Sequence, residues 1–369
     1  MRAVITRIRY WEPDLDESSL DLSPLMNRRS PLDQCTMFEK EFAKFIGTEY
    51  AVAVGSGSAA IHLSLVACNV GPGDEVVTVP NTCTAVSDAI LWAGATPVFI
   101  DIQEKDFNMD PDRLEEAITK RTKAILPVHM YGQPADLDPI CEVGEKHGLI
   151  VIEDVAQSAG ALYKGKRAGS AGTTGCFSFS GKNLSVLGLG GMITTNVAKI
   201  DETLRMLRHF GRRDGSSYQE VLGYRYGMSE LHAMIGRRQL SKLDERNLKR
   251  REIAGMYSRT LQNSNEVVLP VEMDYARHVY CHYVVRAKRR DDLRSYLLQS
   301  GIETSCHYPI PIHTQKVYAS RFGFEEGAYP ITEKVAREVV SLPTRPNLRE
   351  CQVETIARRI LEFYASHNQ

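Results

Sequence analysis

The chain has 369 residues, room for two domains at ~150 residues each, and its 45 Lys and Arg against 46 Asp and Glu leave a formal net charge of -1. That balance speaks against nucleic acid or an anionic membrane surface as a partner, since both need clustered excess positive charge. With 43% hydrophobic and 25% charged residues, the composition is that of a soluble globule and not of a disordered, collagen-like or coiled-coil chain.

From residue 36 to about 200, short apolar runs alternate with helical patterns. Strands are predicted at Tyr50–Val54, Glu75–Val79, Thr96–Ile100, Ala124–His129 and Leu149–Glu153, with helices at about 58–69, 84–93, 110–119 and 137–147. Several strands are continuously apolar, as in a parallel sheet covered by helices on both faces. The class is therefore α/β, doubly wound. Asp110-Pro111 supplies an N-cap followed by proline at the first helical position, and Gly148 follows Lys146-His147 at a helix end.

Strand-like runs at Cys176–Ser180 and Gly191–Thr195 flank a glycine-rich loop, and a helix at Ile200–Phe210 precedes a loop from Gly211 to Gly215. Ser229–Leu261 reads as one long connecting helix with Leu231, Met234, Ile235, Leu243, Leu248, Ile253, Met256 and Tyr257 in an apolar stripe. Its Lys249, Arg250 and Arg251 interleave with Asp244, Glu245 and Glu252, the pattern of a solvated face. Beyond Asn263, short strands at Glu266–Leu269 and Tyr283–Arg286 and helices near 290–300, 331–340 and 349–365 predict a smaller α/β domain. The expected division is 1–240 for the N-terminal segment and large domain, and 241–369 for the connecting helix and small domain.

Cys35, Cys68, Cys83, Cys141, Cys176, Cys281, Cys306 and Cys351 contain no C-x-x-C pair, so reduced thiols in a cytoplasm are expected, with no zinc site. Charge interrupts the N-terminal residues too often for a signal peptide, and no apolar run approaches the ~18 residues of a membrane span.

Three features carry candidate chemistry. Gly55-Ser56-Gly57-Ser58-Ala59-Ala60 closes a strand and opens a helix, where backbone amides and the hydroxyls of Ser56 and Ser58 suit a phosphate. The same letters fit a dinucleotide turn, although the next strand ends Val77-Thr78-Val79-Pro80 without the acid that would hold a ribose, and a plain tight turn fits equally. Asp154 ends the apolar run Ile150-Val151-Ile152-Glu153, where open sheets bind ligands; a cationic ligand atom, a helix cap or a structural ion pair would each satisfy it. Lys182 lies 28 positions further on, among small and apolar residues between two strands, a setting that favours a neutral, Schiff-base-forming amine if desolvated and a plain loop lysine if exposed. In that order the three supply a phosphate anchor, a pyridinium partner and a carbonyl-binding lysine, the needs of pyridoxal phosphate. No G-x-x-x-x-G-K-[ST], H-E-x-x-H or G-x-S-x-G competes.

From about Phe38 onwards the chain resembles the DegT/DnrJ/EryC1/StrS family of sugar-nucleotide and aminocyclitol aminotransferases. The likeness rests on Ala51–Ala59, Val70–Val76, Ala93–Phe99, Pro127–Asp136, Glu153-Asp154 with Ala156-Gln157, the block around Lys182, and His307-Tyr308-Pro309 with His313. It implies the fold type I of pyridoxal-phosphate-dependent transferases, a large, mostly parallel-sheet cofactor domain with a smaller C-terminal α/β domain. It also implies a homodimer with shared sites, an amino-acid donor such as glutamate, and a keto-sugar nucleotide or keto-cyclitol acceptor. Lys182 would carry the cofactor and move the proton, Asp154 would pair with the pyridinium nitrogen, and Gln157 would lie against the ring or its 3-hydroxyl. Gly57, Ser58, Ala59 and Ser178, with Ser180 in reserve, would hold the phosphate. His307, Tyr308 and His313 would contact substrate.

Three departures stand out. Cys83 occupies the place where the family commonly stacks an aromatic on the ring, the Phe-Ser-Phe block sits one residue closer to Lys182, and Arg225 stands where the family's asparagine reaches the neighbouring subunit's phosphate. Lys182 itself argues for transamination over the dehydration chemistry of relatives that carry histidine there. A non-catalytic regulator keeping the same fold is the alternative.

Overall fold

The computed structural model describes residues 7–12, 34–180 and 184–367. Strand β1 (Tyr50–Val54) shows why both faces of the sheet are covered. Successive side chains point to opposite faces, so Ala51 and Ala53 join Phe38 and Phe42 of helix α1 (Gln34–Ile46), while Val52 and Val54 join Ala60 and Leu63 of α2 (Gly57–Ala67). Each fully buried phenylalanine here contributes ~1.5–3 kcal/mol by burial.

Strands β2 (Glu75–Thr78), β3 (Thr96–Phe99), β4 (Thr122–Ile125) and β5 (Ile150–Asp154) follow, joined in part by α3 (Thr84–Trp92) and α4 (Leu137–His147). β6 (Thr174–Ser178) and β7 (Gly191–Thr195) complete a seven-stranded sheet in the order β1-β7-β6-β5-β4-β2-β3. Only β7 runs antiparallel to its neighbours. The large, mostly parallel sheet is thus the one expected. β4 ends earlier than its apolar run because Pro127 has no N–H for the ladder. The helix expected at 110–119 is a 3₁₀ turn, Pro111–Arg113, followed by Leu114–Ala117, with Asp110 capping as anticipated.

After α5 (Ala198–Arg208), the helix predicted as continuous over Ser229–Leu261 is two: α6 (Glu230–Ser241) and α7 (Leu243–Leu261). Lys242, at φ -108 and ψ 0, leaves the helical well between them. The break re-aims the stripe, so Leu231 and Leu248 are exposed while Leu240 and Leu243 are buried.

A three-stranded antiparallel sheet, β8 (Val267–Val268), β9 (Tyr283–Ala287) and β10 (Val339–Leu342), anchors the C-terminal part. It packs with α7, α8 (Arg290–Gln299) and α10 (Glu350–His367) around Tyr257, Leu293, Ile356 and Phe363. The expected helix near 331–340 stops at the end of α9 (Pro330–Glu338), where Val339 and Val340 pair with Arg286 and Val285 instead. Asp101, just past β3, accepts the Ile331 and Thr332 amides at 2.8 and 2.9 Å and the Thr332 hydroxyl at 2.8 Å, tying the start of α9 to the large sheet. No described helix is long and apolar enough to cross a membrane.

Candidate active site

In an open sheet, ligands bind beyond the carboxyl ends of the parallel strands, and three of the predicted positions lie there. Gly191 pairs with Val54 of β1 on one side and Ser178 of β6 on the other, so the ends of β1 and β6 lie level. A Cβ on Gly191 would fall 2.5 Å from the Ser56 carbonyl oxygen, and one on Gly57 would fall 2.7 Å from Ser178 Cβ. The two glycines let the start of α2 settle against Ser178, whose hydroxyl is 3.0 Å from that of Ser180.

The amides at the start of α2 can be accounted for one by one. Ser56 is the N-cap: its Oγ accepts from Ala59 N–H at 3.0 Å, and its carbonyl accepts from Ala60 N–H at 3.0 Å. The Ser56 hydroxyl offered to an anion by the sequence is therefore committed to the helix, as is the Ala59 amide. Gly57 and Ser58 keep amides with no intrahelical acceptor. With the hydroxyls of Ser178 and Ser180 beside them, at the positive end of the helix, they form a donor set suited to phosphate.

Asp154 ends β5 and is 5% exposed. Its Oδ1 accepts the Ala156 N–H at 3.0 Å. Burial pushes its carboxyl up to about 6, with the Ala156 amide and His129 offsetting part of that rise. The adjacent Glu153, fully buried, is saturated: it accepts His129 Nε2–H at 2.9 Å and the amides of Gly169, Ala171 and Gly172 at 2.7–2.9 Å. The Ala135 N–H donates to His129 Nδ1, which leaves the proton on Nε2. Burial alone would raise Glu153, but His129 and the amides of Gly172 and Gly169 outweigh it and hold the carboxyl below its usual range.

Gln157 lies one turn beyond Asp154. Its Oε1 accepts from Tyr131 N–H at 2.8 Å and its Nε2 donates to Tyr308 Oη at 3.0 Å. Cys83 caps α3, its Sγ accepting the Ala85 N–H at 3.4 Å. The residue is exposed, yet partial desolvation raises its thiol, the Ala85 amide offsets part of this, and the charges of Asp154 and Asp88 add to it.

The two histidines of the C-terminal block part company. His307 leans against His282 with ring centroids 4.0 Å apart, stacks on Tyr10 at 6.0 Å, and its Nδ1 meets Ser341 Oγ at 2.8 Å. His313 is fully buried, with Nε2 3.0 Å from Glu333 and its ring edge-on to Tyr329. Arg225 is exposed, its guanidinium 5.9 Å from the Phe210 ring centroid, with no acidic partner among the described residues. Lys182 lies outside the described residues; on either side of it Ser180 and Ser185 pair in an antiparallel bridge. Sequence reasoning missed Tyr131 and Glu153 as contributors. Both stand in motifs quoted above, but their partners are remote in sequence.

These residues fit pyridoxal phosphate. A buried carboxylate with a single hydrogen bond to its side chain among the described residues calls for a cation such as a ring N–H⁺, and the Gly57, Ser58, Ser178 and Ser180 donors lie by the ends of β1 and β6.

Residues 30–361 match the DegT/DnrJ/EryC1/StrS aminotransferase family. Among curated proteins, the pleiotropic regulatory protein of Geobacillus stearothermophilus is 43% identical across 90% of each chain. The dTDP-3-amino-3,4,6-trideoxy-alpha-D-glucose transaminase of Streptomyces venezuelae is 40% identical over 88% of this chain and 86% of that one. Among solved structures, DesV of S. venezuelae superposes with a TM-score of 0.92 at 37% identity, covering 97% and 98% of the two chains. NtdA of Bacillus subtilis with bound cofactor PMP gives 0.88 at 28% identity, covering 97% and 86%.

Proposed function

We propose, on the premise that this chain belongs to the DegT/DnrJ/EryC1/StrS aminotransferase family, that it moves an amino group from glutamate or glutamine to a keto-sugar nucleotide or related keto-cyclitol. It is a pyridoxal-phosphate-dependent sugar aminotransferase. The observation that carries the reading is Asp154, a carboxylate kept buried and incompletely satisfied at a strand end. A regulator without chemistry has no use for so costly a group.

When bound, pyridoxal phosphate supplies an electron sink for the carbon that gains or loses the amino group. Asp154 holds the ring nitrogen protonated, and the amides of Gly57 and Ser58 with the hydroxyls of Ser178 and Ser180 hold the phosphate. Gln157 would donate towards the ring, and Lys182 would hold the cofactor through its amine and move the proton at the substrate carbon. Cys83 borders the ring where an aromatic would stack. His307 faces the substrate side, whereas the full burial of His313 gives it a supporting role there.

The working unit is a homodimer. Leu189, Tyr218 and Leu222 are 65%, 75% and 89% exposed in the single chain, apolar surface that a second copy would cover, and the exposed Arg225 would reach the partner's phosphate. The chain divides into 1–240, bearing the cofactor, and 241–369.

The test is spectroscopic. Purified protein loaded with pyridoxal phosphate is expected to show an absorption band that shifts on adding glutamate or glutamine, and to aminate a member of a panel of keto-sugar nucleotides and keto-cyclitols. Lys182→Ala is expected to lower the rate at least about a thousandfold, in line with losing both an activated amine and a proton carrier. A band indifferent to every amino donor, or full activity in Lys182→Ala, would sink the reading.

A further inference from the structure

Gln157 is gripped from two sides, and the chemistry of one grip fixes the other. The Tyr131 main-chain N–H can only donate, so the atom 2.8 Å from it is the carboxamide oxygen. That sets the flip of the amide and leaves Nε2, a donor, facing Tyr308 Oη at 3.0 Å. Tyr131 is itself pinned to the C-terminal part of the chain. Its carbonyl accepts the His282 N–H at 3.1 Å, the Gly132 carbonyl accepts the Val279 N–H at 2.9 Å, and its hydroxyl donates to the His307 carbonyl. The φ of Tyr131 is +59°, a left-handed conformation costing ~1 kcal/mol or more, and these bonds hold it there.

Segments 279–282 and 307–308 both flank the small sheet, one leading into β9 and the other pairing through His307 with Ser341 of β10. They converge on one carboxamide, three residues beyond Asp154. Burial, with Cys83, Tyr131, Asp154 and Cys281 adding to it, keeps the Tyr308 hydroxyl protonated, so it accepts from Nε2 and retains its own proton.

We infer that Tyr308 is a positioning residue: its hydroxyl holds the Gln157 carboxamide with Nε2 presented to the cofactor ring, and so links the small sheet to the cofactor. This rests on the pyridoxal-phosphate reading above and goes beyond it by moving Tyr308 from substrate contact to cofactor support.

Tyr308→Phe keeps the ring and removes the hydroxyl. The variant is expected to bind pyridoxal phosphate about three- to tenfold more weakly in a spectral titration, the size of one lost hydrogen bond. The pH midpoint of the cofactor's absorption bands should move, and kcat should fall with the sugar-substrate KM unchanged. Gln157→Ala should reproduce these effects, and adding Tyr308→Phe to it should change nothing further, because residues that act through one another are not additive. Tyr131→Phe, which cuts the hydroxyl's ties to His307 and Asn81, should weaken cofactor binding in the same direction by a smaller factor. It serves as the second variant if Tyr308→Phe does not fold.

Unchanged cofactor affinity and pH midpoint in Tyr308→Phe, a rise in KM alone, or losses that add to those of Gln157→Ala would each overturn the inference. These results are separable from failure of the parent reading, in which the unaltered protein itself would bind no pyridoxal phosphate.

Discussion

Glu153 and Asp154 are neighbours on β5, 0% and 5% exposed, yet their surroundings push their ionisation in opposite directions. The alternation of the strand sends them to opposite faces. Glu153 meets a histidine N–H and three backbone amides, so its charge is fully solvated by protein. Among the described residues Asp154 meets one amide, and burial drives its carboxyl up. The back of the strand is scaffold, complete in itself; the front leaves a raised carboxyl that a cationic ligand would complete. Saturation of hydrogen bonds, more than burial, distinguishes a structural carboxylate from a functional one.

The largest expected effect breaks the scaffold side. Glu153→Gln sets an NH₂ group against two donors, either His129 Nε2–H and the Gly169 amide or the amides of Ala171 and Gly172. Each buried donor left unmet costs about 1–3 kcal/mol, measurable by urea unfolding of the cofactor-free protein. Because the folded carboxyl lies below its unfolded value, the stability Glu153 contributes is present above the unfolded pKa and lost as pH falls through the folded one. Glu153→Gln should abolish that acid limb. A loss under 1 kcal/mol would mean that the face is not the anchor its bonds suggest.

Asp154 has the reverse sign. Its folded carboxyl titrates near 6 against 3.8 in an ordinary setting, so the cofactor-free protein is favoured below the unfolded value and loses stability as pH rises through about 6. The loss is at most roughly 3 kcal/mol. Asp154→Asn should flatten this slope and raise the melting temperature of the cofactor-free protein at pH 8, while reducing transamination at least about a hundredfold. A variant less stable than the original at pH 8 would place Asp154 with Glu153, as scaffold.

The contrast between the two carboxylates marks how far sequence reasoning reaches. The strand was legible because its apolar run and its end are local, and β1, β5 and β7 fall within a residue of their predicted limits. Asp154, Gln157, Gly57 and Ser178 were legible as members of ordered motifs. The saturation of Glu153 was not, because His129 lies 24 residues away and the Gly169 and Gly172 amides 16 and 19 residues away. Nor was the Gln157–Tyr308 bond, which spans 151 residues. β10 was hidden because Val339 and Val340 follow a helix without glycine or proline between, and only pairing with β9 makes them a strand. Lys242 breaks a helical pattern with no local signal, since tertiary packing of Leu240 and Leu243 selects the break.

The smallest effect sharpens the front side of the comparison. Gly57 begins α2, where alanine is the better helix former by up to ~1 kcal/mol, yet its added methyl would lie 2.7 Å from Ser178 Cβ, an overpacking cost of about 1–2 kcal/mol. The two terms nearly cancel in the stability of the cofactor-free protein. They do not cancel in cofactor binding, because relieving the contact moves the Gly57 and Ser58 amides away from the Ser178 and Ser180 hydroxyls. Gly57→Ala should therefore leave the unfolding midpoint nearly unchanged while weakening pyridoxal phosphate binding about tenfold, read by spectral titration. Ser178→Gly in the same chain removes the atom that collides and should recover part of the loss, limited by the missing hydroxyl. If Gly57→Ala binds as tightly as the original chain, the phosphate is held elsewhere, and the strand-end donors belong with Glu153 to the scaffold.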